Sequence, residues 1–74
     1  MKTASTSYVL GIGEGRAVLD AHLRNGVSRA EAIESEIAGL RALLAQGFDA
    51  AMRDMFRGQL DFFLRQQKRL ALAA

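Results

Sequence analysis

No cysteine and only one histidine, His22, occur in these 74 residues. The chain therefore has no disulfide and no thiolate metal site, and one histidine does not make a zinc centre. A core of this size rarely contributes more than about 3–5 kcal/mol unless a disulfide, a metal or a second chain supports it. With the first two excluded, a partner chain is the support that remains. Half of the residues are hydrophobic, which suits a folded domain and is too many for a disordered one. Proline is absent, so long helices are unobstructed.

The chain reads as mostly α, with one strand-like segment. Residues 5–10, Ser5-Thr6-Ser7-Tyr8-Val9-Leu10, contain strand-favouring Thr, Tyr and Val. A period of two places Thr6, Tyr8 and Leu10 on one face and Ser5, Ser7 and Val9 on the other. A lone strand is not stable in water and must pair with a copy of itself or with another chain. Gly11-Ile12-Gly13-Glu14-Gly15 reads as a break, followed by a first helix from about Glu14 to Arg24 that Asn25-Gly26 stops.

Ser28-Arg29-Ala30-Glu31 is a capping box and opens a second helix. Ala30, Ile33, Ile37, Leu40 and Leu44 recur at spacings of three and four along it. Gly39 lies inside this helix, where glycine costs about 1 kcal/mol relative to alanine. Gly47 and Asp49 mark a stop and a new cap, and a third helix is expected over about residues 49–71. Asp49/Arg53, Arg57/Asp61 and Asp61/Arg65 are i,i+4 charge pairs along it. Phe48, Met52, Met55, Phe56, Leu60 and Phe63 form a broad apolar band, more than two short helices are expected to cover, and so a candidate partner-binding surface.

Motifs for chemistry are weak. The Gly11-x-Gly13-x-Gly15 run lacks the spacing and the second strand of a dinucleotide fingerprint. Asp20 and His22 diverge on a helix and have no serine or cysteine nucleophile beside them. Glu31, Glu34 and Glu36 read as a cap residue and solvated charges. Arg65-Gln66-Gln67-Lys68-Arg69 is a basic run that suits a solvated helix end better than a nucleic-acid site. Residues 1–37 carry four cationic and five acidic side chains, and residues 38–74 carry six and three. No enzyme activity, cofactor or metal is expected. No stretch approaches the roughly 18 apolar residues of a membrane span, and residues 1–7 lack the apolar centre of a signal peptide, so the expected location is cytoplasmic.

The order of strand, helix, Asn25-Gly26 stop and capped helix resembles the ribbon-helix-helix family. Gly26-Val27-Ser28-Arg29-Ala30-Glu31-Ala32-Ile33 resembles that family's turn into its second helix. Thr6-Ser7-Tyr8-Val9-Leu10-Gly11 followed by Leu19-Asp20-Ala21-His22-Leu23-Arg24-Asn25-Gly26 is similar to ParD-type antitoxins, over about residues 5–44. The resemblance implies a homodimer in which two strands pair and enter the DNA major groove. It divides the chain into a dimerisation and DNA-binding region, 1–46, and a C-terminal partner-binding helix, 47–74. Carried over by position, Ser5, Ser7 and Val9 face the bases and the amides at Ser28 and Arg29 hold a phosphate, with Lys2 also expected among the DNA-binding residues. The function it implies is a type II antitoxin that blocks a ParE-like toxin through its C-terminal helix and represses its own promoter. The alternative is a helical protein–protein inhibitor or adaptor without DNA binding.

Overall fold

A computed structural model describes residues 5–73. Among them are three helices and no strand: α1 (Thr6–Arg24), α2 (Arg29–Leu44) and α3 (Ala50–Ala73). The ribbon-helix-helix expectation is therefore corrected. Its ribbon needs residues 5–10 extended, and these residues form the cap and first turns of α1.

Ser5 is the reason α1 starts so early. Its backbone is extended, and its Oγ accepts the Tyr8 amide at 3.1 Å, satisfying one of the free donors at the helix start. The helix then runs unbroken through Gly11, Gly13 and Gly15. What the sequence reads as a strand and a turn is a single helix of 19 residues, about 28 Å long at 1.5 Å per residue. Gly26, at φ 81°, supplies the left-handed residue after it, while Asn25 stays at φ −89°.

Two of the three glycines in α1 have a structural reason. Gly11 and Gly15, four residues apart, lie on one face and are buried against α3. A Cβ at Gly11 would overlap the backbone carbonyl of Met55, and one at Gly58 would overlap the backbone carbonyl of Tyr8. At Gly15 the Phe62 ring fills the space, 2.9 Å from where a Cβ would stand. Two helix backbones meet at this seam with no side chain between them. Contacts climb both helices together, from Ser5 with Asp54, through Gly11 with Met55 and Gln59, to Gly15 with Phe62. The helices α1 and α3 therefore run parallel, and α2 returns between them.

The expected cap of α2 is present, with Ser28 Oγ accepting the Glu31 amide at 3.2 Å. Asp49 Oδ1 likewise accepts the Met52 amide at 2.9 Å and opens α3. The buried stripe of α2 is Ala32, Ile33, Ile37 and Leu40, so it is turned slightly from the expected one: Ala30 is exposed and Leu44 is only half-buried. These residues form one core with Leu19, Phe62 and Phe63, the two rings meeting edge to face at 5.2 Å. His22 Nε2 and Glu36 Oε1, 2.9 Å apart, tie α1 to α2 at its rim. Among the described residues no lysine or arginine lies within 4.0 Å of a carboxylate, so the expected i,i+4 pairs of α3 are not formed. Gly39 and Gly13 have no atom within 4 Å of a Cβ position. No close helix approach within the chain explains either.

The glycines thus separate by site. Gly39→Ala is expected to raise stability by about 1 kcal/mol, since only helix propensity changes there. Gly11→Ala and Gly58→Ala are expected to lower it by about 1–3 kcal/mol or more through overpacking. Urea unfolding followed by circular dichroism measures both signs. Equal responses at Gly39 and Gly11 would refute the backbone seam.

Candidate functional site

The residues expected to bind DNA do not form one surface. Ser5 is a helix cap whose hydroxyl also donates to Asp54 Oδ2 at 2.8 Å. Ser7 is half-buried in α1, and Val9 is an exposed helical residue. Ser28 and Arg29 lie at the start of α2, beyond the opposite end of α1, about 28 Å along its axis. Lys2 lies outside the described residues. Ser5, Ser7 and Val9 do not share an extended face as the ribbon reading required, because successive helical residues are about 100° apart rather than 180°.

The aromatic band of α3 is largely covered from within the chain. Phe63 is fully buried (0% exposed) in the core, and Phe56 and Leu60 pack against that core half-buried. Phe48 folds back onto Phe56 edge to face, with ring centres 5.2 Å apart. Arg53 holds this turn by donating to the Phe48 carbonyl at 3.3 Å. Met55 is half-buried beside Gly11, and Met52 remains 39% exposed. The unbroken α1 supplies the extra cover: its first turns, read from sequence as a strand, lie on α3 instead.

Open apolar surface lies elsewhere. Val9 is 55% and Leu10 57% exposed, side by side on α1 and away from the glycine face. Leu10, Gly13 and Ala17 follow at spacings of three and four, and all three are exposed. On a helix this spacing makes one outward stripe, with a large side chain next to a notch at Gly13. The sequence reading missed this stripe because alternation assigned Leu10 to an inward face of a strand. The repeat of small residues at Gly13, Ala17 and Ala21 was the available signal.

The seam between α1 and α3 carries a polar latch. Tyr8 donates its phenol to Asp61 Oδ2 at 2.5 Å. That hydrogen bond, with some burial and the negative charge of Asp61, raises the phenol above its ordinary 10.0, and the nearby Arg65 guanidinium opposes the rise. No group of three or more metal-ligating side chains occurs among the described residues. No helix in them is long and apolar enough to cross a membrane. No protein-family model, curated protein or solved structure matches the chain.

The latch sets a pH dependence. The phenol bonds as a proton donor, and its folded pKa lies above the unfolded value. Its contribution to stability is complete below pH about 10 and disappears as pH rises through the higher folded value. Wild type is expected to lose stability over that alkaline range relative to Tyr8→Phe, and urea midpoints from pH 8 upward measure the gap. Parallel curves for the two proteins would remove the latch from the folded state.

Proposed function

We propose that this chain is a helical protein–protein binding module that docks a second copy of itself through the outer face of α1, and that it acts through contact rather than catalysis. The observation that carries this reading is the exposed Val9–Leu10 pair beside the Gly13 and Ala17 notch. Most other large apolar side chains are drawn into or against one core; Met52 and Leu72 on α3 are also exposed, but Val9 and Leu10 are adjacent and lie within α1 beside the notch. A stripe with a knob at Leu10 and a hole at Gly13 is self-complementary when two copies meet antiparallel. Each Leu10 then seats over the partner's notch, as a two-fold interface requires. Gly13, which has no intramolecular packing reason to be glycine, acquires one. Burying this face also gives a short chain the support that cysteine and metal do not provide.

Blocking of a toxin by such a module is a special case of this proposal, and a helical surface is sufficient for it. Repression of an operator has less support, because the residues assigned to it occupy caps and opposite ends of α1. The adaptor or inhibitor alternative from the sequence is therefore the one the geometry favours.

Sedimentation equilibrium over a concentration series is the direct test. A mass of twice the 8.1 kDa chain is expected for the wild type, and a single-chain mass for Leu10→Glu with its circular dichroism unchanged. A wild type that stays at single-chain mass throughout, or a dimer indifferent to both Leu10→Glu and Gly13→Leu, overturns the proposal.

A further inference from the structure

A second surface, distinct from the outer face of α1, has the chemistry of a ligand site. All three helices contribute to a cleft of about 210 Å³ lined by Arg16, Leu19, Asp20, Arg29, Phe62 and Gln66. Leu19 and Phe62 are core residues, so the floor is apolar and fixed. The other lining residues are polar: two arginines, one glutamine and one aspartate. Arg16 and Arg29 come from different helices. Among the described residues neither has a carboxylate within 4.0 Å, although Asp20 lines the same cleft. Two exposed arginines thus line one concavity without a carboxylate partner among the described residues.

We propose that this cleft binds a phosphate group, through the guanidinium groups of Arg16 and Arg29 and the side-chain amide of Gln66. Size is the first argument. At 210 Å³ the cleft is smaller than the roughly 300–1,000 Å³ of pockets that enclose whole cofactors, and it suits a single anionic group. Donor geometry is the second. One guanidinium fork already satisfies a planar carboxylate through two parallel bonds. Two forks from separate helices, with an amide beside them, offer more donors than a carboxylate accepts, and a tetrahedral phosphate has the oxygens to take them. Charge is the third. The two arginines outweigh Asp20 by one unit, so an anion is attracted, while the Asp20 carboxylate repels it and weakens the site.

The assignment of Asp20 gives the test a gain as well as a loss. Two-dimensional amide NMR of the full chain is titrated with sodium phosphate, with sodium acetate and with sodium chloride at matched ionic strength. Saturable shifts at the Arg29 and Asp20 amides and the Gln66 side-chain amide are expected with phosphate, with weaker ones from acetate and none from chloride. Arg16→Gln and Arg29→Gln should each weaken half-saturation by roughly tenfold, and Asp20→Asn should strengthen it by a few-fold. A parallel titration with phosphoserine identifies the source: tighter binding than inorganic phosphate assigns a phosphate carried on another molecule, and equal binding assigns the free ion. Shifts that do not saturate, that chloride or acetate reproduces in full, or that persist unchanged in Arg16→Gln and Arg29→Gln overturn the proposal. The Asp20→Asn arm keeps the result decisive should an arginine variant fold poorly.

Discussion

The contact between α1 and α3 at Gly11, Gly15 and Gly58 governs the rest of the structure. Each glycine in a helix interior costs about 1 kcal/mol against alanine, so three of them need a return. The return is separation. With no Cβ between the backbones at Gly11 and Gly58, the helices close to a distance at which Tyr8 reaches Asp61 and Ser5 reaches Asp54. Further along, where Gly15 leaves room, the Phe62 ring enters and joins Phe63 in the core that α2 covers. A larger residue at Gly11 would move α1 away from α3 and open both the polar latch and the aromatic core. The seam is also short-range in kind: it works by van der Waals contact over a few ångströms and leaves no margin for half-measures.

Much of the chain was legible in its sequence. The start of α2 at Ser28 and of α3 at Asp49 followed from side chains that satisfy amides three residues on, a local interaction that tertiary structure does not override. The stop at Asn25-Gly26 was legible for the same reason, with Gly26 taking the left-handed conformation. The reading of residues 5–10 failed because two local signals pointed the wrong way. Thr6, Tyr8 and Val9 favour strands, and three glycines in five residues read as a turn. Both are weak preferences, worth tenths to about 1 kcal/mol per residue, and burial against a neighbouring helix outweighs them. The signal for the right answer was spacing. Gly11 and Gly15 are four apart, Tyr8, Ile12 and Leu19 fall on adjoining positions of a helix, and Ser5 precedes them as a cap.

This one reassignment moves the exposed apolar surface. With residues 5–10 as a strand, α3 was left with an aromatic band and no cover, and Phe56, Leu60 and Phe63 looked like a partner site. With those residues helical, α1 gains about two turns and covers the seam face of α3, while α2 covers Phe63. Exposed apolar surface then stands on α1 at Val9 and Leu10, while on α3 it is reduced to Met52 and the terminal Leu72.

The two candidate surfaces obey different physics, which allows one chain to carry both. The Val9–Leu10 stripe is apolar, and its energy scales with the area removed from water, so it is insensitive to salt. The Arg16–Arg29 cleft is charged and partly open, so its affinity falls as ionic strength rises. The helix α1 contributes to both, with Leu10 on its outer face and Arg16 at the cleft nearly two turns further along. Arg16 and Asp20 lie four residues apart on this helix, close enough to pair, yet they stay more than 4.0 Å apart. Arg16 thus lines the cleft with no carboxylate partner among the described residues, while the apolar stripe beside it on α1 carries no charge to compete for an anion.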